Sequence, residues 1–292
     1  MSDALTLRAQ AAELADSGGD LLLEAERLSQ SLIMGEHGRR KAGLGDHFWQ
    51  YRPFENGVDS PRSIDHRRSA QQDQYFVRQL EWKTPQALHV WVDQSASMRF
   101  ASKGNAGKNN RAVILVLAIA IAAEKAGERV GLCDSTLAPS RGRKQILQLA
   151  KQLNLQMDAD YSLTGPSEFL TSATALIASD FLSKSTDVER ILSIAADRGV
   201  RGVLLQVLDP LECSFPFQGR ALFQSVLGSV EHDTLQAADL KSEYLKRLAD
   251  RQQRLGELAD MARWDFLVDD GSFALIITLS KIYQSLSKGC IG

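Results

Sequence analysis

From residue 87 onward the chain alternates short apolar runs with longer amphipathic stretches, and this alternation constrains the fold more than any other feature. The apolar runs fall at 88–92, 129–133, 174–179, 203–208 and 265–268. Short apolar runs of this kind, bounded by turn residues, read as strands covered on both faces. Between them, 111–125, 144–153, 187–197 and 239–262 read as helices. A last helix over 273–286 follows Asp270-Gly-Ser272, which supplies a cap. Strands alternating with helices predict an α/β fold, with a mostly parallel sheet flanked by helices.

The region ahead of this pattern has a different texture. Helices are expected over 5–15 and 20–33, separated by Gly18-Gly19, and Gly35 ends the second. In that second helix Leu21, Leu22, Ala25, Leu28 and Leu32 recur at helical spacing. Residues 36–72 are polar and aperiodic, rich in Arg, His, Gly and aromatics, and 75–82 reads as a strand before the Thr84-Pro85 break. The expected organisation is an N-terminal helical and irregular flanking region over 1–86 and an α/β domain over 87–292.

Composition excludes several classes. Hydrophobic residues at 44% and charged residues at 24% suit a soluble globular protein. A net charge of −2 gives no global pull toward nucleic acid or anionic membrane. Cys133, Cys213 and Cys290 lie far apart and match neither a zinc pattern nor a disulfide framework, so a reducing cytoplasm is expected. The N-terminus has neither the basic nor the apolar region of a signal peptide. The longest apolar stretch, 112–123, falls short of the roughly 20 residues that span a bilayer and reads as a buried helix.

Chemistry concentrates at the strand ends. The run 88–92 stops on Asp93, with Ser95 and Ser97 at alternate positions after it. One carboxylate and two hydroxyls on a turn beyond a buried strand are the oxygen donors a hard divalent cation takes. Open α/β sheets also bind their ligands at the carboxyl ends of their strands. A second run closes on Asp180 and a third on Asp209-Pro210. An aspartate at such an end commonly caps the next turn. Asp93 departs from that reading because two serines accompany it.

These residues resemble the metal-ion-dependent adhesion site of von Willebrand factor A-type domains. A longer match is to the bacterial domain of unknown function 58 family, in its short form. It rests on Gly35-Glu-His-Gly-Arg-Arg-Lys-Ala-Gly43, Phe48-Trp-Gln-Tyr-Arg52, Ser63-Ile-Asp-His-Arg-Arg-Ser-Ala70, Val77-Arg78 and Glu81-Trp82. The Asp93 motif, Arg129-Val-Gly-Leu132, Ser179-Asp180, 205–212 and Pro216-Phe-Gln-Gly219 continue it. The resemblance implies a von Willebrand factor A-like domain holding Mg²⁺ or Mn²⁺. Ser95 and Ser97 match direct ligands, and Asp93 and Asp180 match carboxylates acting through water. A threonine normally completes the set, but no Gly-Gly-Thr-Asp-Leu-like loop occurs between Cys133 and Thr174. Thr136 is the candidate taken, with Thr164 as the other. The resemblance also implies a protein partner, a MoxR-type AAA+ ATPase, for which this chain would be a non-enzymatic adaptor.

Two other readings compete. A metal-dependent hydrolase or phosphotransfer enzyme could use Asp93 as its nucleophile. Against it, the residue two positions on is Ser95 and not a second acid, and 102–108 lacks the spacing of a phosphate loop. Nucleic-acid binding could use Arg39, Arg40, Lys41, Arg62, Arg67 and Arg68 beside Phe48, Trp49 and Tyr51. Glu36, Asp46, Glu55, Asp59 and Asp65 are interleaved with those bases, so pairing within the protein is preferred and no nucleic acid is expected.

Overall fold

The computed structural model of the chain describes residues 19–37, 48–53, 75–80, 87–104, 107–134, 136–155, 166–228 and 231–288. The expected helix at 5–15, Thr164 and the basic residues of the 36–72 segment other than Arg52 lie outside them. Two compact units are present, the smaller being Gly35–Pro85. In it β1 (Phe48–Pro53) pairs antiparallel with β2 (Phe76–Leu80), with an irregular register between Phe48 and Gln50.

Helix α1 (Gly19–His37) groups with the larger unit through residue 34, so the N-terminal region is not one block. Its periodic leucines explain why. Leu22, Ala25 and Leu32 are buried in the same apolar cluster as the sheet and its helices.

The larger unit is built on five parallel strands: β3 (Ala87–Val92), β4 (Arg129–Leu132), β5 (Thr174–Ser179), β6 (Arg201–Val207) and β9 (Asp265–Asp269). They lie in the order β4-β3-β5-β6-β9. The chain leaves β3 for a neighbour on one side and returns to β5 on the other. Between the carboxyl ends of β3 and β5 it therefore opens the crevice characteristic of a doubly wound sheet.

Side chains alternate along each strand between two cores. Leu88, Val90 and Val92 of β3 face α1, α2 (Lys108–Lys125), α3 (Arg143–Leu153) and α7 (Leu275–Lys288). Ala87 and Trp91 face α4 (Ser185–Asp197) and α6 (Ala237–Met261). Helix α2 is buried all round from Ala112 to Ala122, the burial its uniformly apolar sequence predicts. Gly202 leaves no room for a side chain between β6 and β5: a Cβ there would stand 2.3 Å from the Ala175 carbonyl oxygen, against the ring of Trp264.

Strand β1 falls within the 36–72 segment expected to be aperiodic, and two further features have no counterpart in the sequence reading. Helix α5 is five residues (Pro210–Ser214), and β7 (Ala221–Gln224) and β8 (Glu231–Thr234) form an antiparallel hairpin outside the main sheet.

Candidate functional site

Aspartates stand at or just past the carboxyl ends of all five parallel strands: Asp93, Asp134, Asp180, Asp209 and Asp269. Sequence reading singled out three of them. Asp93, Asp180, Asp209 and Asp269 each take a donor from a distant part of the chain, Asp134 takes its own from Thr136 two residues on, and the pattern of donors defines the site.

At the switch point Asp93 is 2% exposed. Its backbone N–H donates to Ala178 O at 2.8 Å, which locks the end of β3 onto β5. Both of its carboxylate oxygens are engaged. The Ser95 N–H donates to Oδ1 at 2.8 Å, and the Ser179 hydroxyl donates to Oδ2 at 2.6 Å. Burial pushes the Asp93 carboxyl up to about 6, held back by the Ser179 bond and raised further by the nearby Asp180 charge. The hydroxyls of Ser95 and Ser97 pair with each other at 3.1 Å, on a 3-10 turn over Ala96–Arg99. The fold brings Asp93, Ser95, Ser97 and Asp180 to one strand-end crevice, and adds Ser179.

Thr136 is placed differently. It lies on the exposed loop after β4, where its N–H donates to Asp134 Oδ1 at 2.9 Å and its hydroxyl bonds the same oxygen. It closes its own turn, one strand over from Asp93.

The sequence reading also missed Lys108. Its side chain is 1% exposed, and its ammonium donates to Asp180 Oδ2 at 2.9 Å and to Glu212 Oε1 at 2.8 Å. Burial alone would drive this amine down. The carboxylates of Asp180 and Glu212 outweigh it and hold the ammonium above the ordinary lysine range. Glu212 in turn completes a capping box on α5: its Oε2 accepts from Asp209 N at 2.8 Å, while Asp209 Oδ1 accepts from Leu211 N at 2.9 Å. Ser102 donates its N–H and hydroxyl to the other Asp209 oxygen, both at 2.9 Å.

One turn further along α2, Arg111 grips Asp269 with two nitrogens, one at 2.9 Å, and Thr278 donates to the same carboxylate at 3.2 Å. A helix N-terminus disfavours cations by about 0.3–1 kcal/mol each. Helix α2 nevertheless opens with Lys108 and Arg111 and has no acid in its first turn. Burial of its aliphatic face, about 1.5–3 kcal/mol per fully buried side chain, far exceeds that cost. The strand-end aspartates then compensate both cations. Gly107, at φ 81°, gives the backbone turn that starts the helix against the crevice.

A divalent cation is what the resemblance implies for this position, and beside Asp180 the structure places the Lys108 ammonium instead. All six oxygens of Asp93, Asp180 and Glu212 already accept a hydrogen bond from the chain, since Asp180 Oδ1 takes the Leu182 N–H at 3.0 Å. Among the described residues no group of three or more His, Cys, Asp or Glu is disposed to hold a metal ion.

Beside the crevice lies an aromatic groove of about 260 Å³, whose lining includes Ser97, Phe100, Glu212, Phe215, Phe223 and Tyr244. The Phe215 ring stacks on Phe223 at 5.5 Å and leans on Tyr244 at 4.8 Å, with Phe217 edge-on at 5.2 Å. Leu222, Val226 and Leu227 of the adjoining hairpin and turn are exposed. Two bulky residues here adopt the left-handed region, Phe181 at φ 51° and Phe215 at φ 43°. They directly follow Asp180 and α5. Strained backbone of this kind costs of order 1–3 kcal/mol and gathers at functional sites.

A doubly wound α/β sheet with acids gathered at its switch point is the class that fold and site define. Within that class the chain belongs to the family described as Protein of unknown function DUF58, which matches residues 50–254. It is similar to the conserved hypothetical protein BatB from Bacteroides thetaiotaomicron, with 13% identity over 70% of this chain and 99% of that one, at a TM-score of 0.40. It is also similar to an uncharacterized membrane spanning protein from Vibrio fischeri, with 13% identity over 70% and 98% of the two chains, at a TM-score of 0.19. No curated protein matches it. Among the described residues no helix is long and apolar enough to cross a membrane.

Proposed function

We propose that this chain is a non-enzymatic interaction module whose partner docks at the carboxyl edge of the sheet, over the aromatic groove and the rim of the Asp93 crevice. The observation that carries the reading is the groove itself. Four aromatic rings converge beside Ser97 and Glu212, next to the exposed Leu222, Val226 and Leu227. Buried aromatic anchors rimmed by polar groups are the usual core of a protein interface.

The state of Asp93 supports the non-enzymatic side. A nucleophilic carboxylate must be reached by its substrate, whereas Asp93 is buried at the strand end with its oxygens hydrogen-bonded to Ser95 and Ser179. The family resemblance supplies the partner's identity, a MoxR-type AAA+ ATPase, with this chain as its adaptor. Calorimetric titration of such an ATPase from the same organism with the full chain tests the proposal. Binding that weakens at least about tenfold in a Phe217→Ser/Phe223→Ser variant of unchanged melting temperature supports it. Failure of the native chain to bind, or equal binding by the variant, removes it.

A further inference from the structure

We infer that Lys108 is the resident cation of the strand-end crevice, so that the site is assembled and works without Mg²⁺ or Mn²⁺. The inference stands apart from the adaptor reading, since it concerns what holds the crevice together and not what docks on it.

Three observations converge on it. The first is position: the ammonium bridges Asp180 at 2.9 Å and Glu212 at 2.8 Å, in the place where the charge of Asp180 would otherwise need a metal. The second is the hydrogen bonding around it. Each carboxylate oxygen of Asp93, Asp180 and Glu212 accepts a hydrogen bond from the chain, and the Ser95 and Ser97 hydroxyls hydrogen-bond each other, so the crevice is held together by its own donors. A cation entering beside Asp180 would have to displace an ammonium with almost no exposure to solvent. The third is the way the lysine is delivered. It opens a helix whose first turn holds no acid and whose N-terminal dipole opposes a positive charge. The carboxylates of Asp180, just past β5, and of Glu212 on α5 compensate that cation there.

A lysine and a metal ion differ in what they can do. A metal keeps an open coordination position for a partner's carboxylate. An ammonium has three donors, two of which are committed here, and its side chain is sealed from solvent. Lys108 is therefore a positioning residue. Through Glu212 it ties the end of β5 to α5, and the capping box of α5 sets the backbone that leads into Phe215 at the groove. One buried pair thus couples the switch point to the aromatic surface, permanently and without metal control.

The test is Mn²⁺ binding to the full chain, read by the paramagnetic resonance signal of the free ion. It compares the native protein with Lys108→Met/Glu212→Gln. Removing one cation and one anion together leaves the net charge of the crevice as it was, and the glutamine carbonyl introduced by Glu212→Gln can still accept the cap bond. A gain of metal binding would then report the vacated place and not added charge. We expect the native chain to leave millimolar Mn²⁺ free, and the double variant to bind one ion per chain, lost again on adding Asp180→Asn. A native chain that binds one Mn²⁺, abolished by Asp180→Asn, overturns the inference. So does the absence of binding in both proteins, because the lysine would then not be what keeps the ion out. Should the double variant fail to fold, native melting decides. A melting temperature equal in chelator and in millimolar Mn²⁺ upholds the inference, and one raised by the metal defeats it.

Discussion

Lys108 Nζ and Asp180 Oδ2 meet at 2.9 Å across the switch point of the sheet, with both side chains almost wholly buried. The pair joins the first turn of α2 to the end of β5, and Glu212 extends it to α5. Three elements distant in sequence thus depend on one ammonium.

Truncating that ammonium should be costly. Lys108→Met leaves Asp180 and Glu212 buried without their cation, and breaking a buried pair by removing one partner costs about 3–5 kcal/mol. We expect the urea midpoint of Lys108→Met to fall accordingly, and Lys108→Met/Glu212→Gln to recover part of the loss. An unfolding free energy within about 1 kcal/mol of native would mean that the pair is not the linchpin described here.

Gly202→Ala probes the strand packing behind the site. The added Cβ would sit 2.3 Å from Ala175 O and 2.9 Å from the Trp264 ring, so β5, β6 or the tryptophan must shift. Overpacking of this kind costs about 1–3 kcal/mol. Chemical denaturation should show that loss together with a changed Trp264 fluorescence. An unchanged midpoint would contradict the register of β5 on β6.

Much of the sheet was legible in the sequence, because its strands are buried on both faces and their apolar runs have sharp ends. The run 174–179 matches β5 residue for residue, and the helix expected at 111–125 starts three residues early, at Lys108. Those three residues hold the key cation. Lys108 falls outside the expected helix because a helix signal built on apolar period begins only at Ala112. The available clue was a violated preference: Lys108 and Arg111 open an apolar helix without a single acid nearby in sequence. Their carboxylate partners come from elements 72 and 158 residues away, which no local pattern reports. Helix α5 and the β7–β8 hairpin were missed because they are five and four residues long and only partly buried. Thr136 was named to complete a ligand set, and its hydroxyl instead serves its own turn on Asp134.

His89 gives the fold a definite acid response. It is a strand residue, 3% exposed, with its Nδ1 2.9 Å from the Leu132 carbonyl and its Nε2 accepting the Leu170 N–H at 3.0 Å. An Nε2 that accepts must be unprotonated, so Nδ1 carries the hydrogen and the ring is neutral. Burial keeps its pKa below the usual histidine value, opposed by the Leu132 bond. The unfolded chain takes up this proton near pH ~6.5, before the folded one does. The stabilisation is therefore complete above that pH and lost as pH falls below it, by at most about 1.4 kcal/mol per pH unit. Asp93 runs the other way: its folded pKa of about 6 lies above the ordinary carboxylate value, so its contribution falls as pH rises toward 6. Comparison with His89→Gln isolates the histidine. Between about pH 7 and pH 5 the native protein should lose more stability than the variant, and equal losses would refute a neutral buried ring.

The docking claim is tested most directly by hydrogen exchange of the full chain, alone and with a purified MoxR-type ATPase at saturating concentration. We expect new protection at 93–100, 209–217 and 221–228, the segments that build the crevice rim and the aromatic groove, in chelator as well as in Mg²⁺. Protection confined to other surfaces, or none at all, would contradict an interaction module working through the carboxyl edge of this sheet.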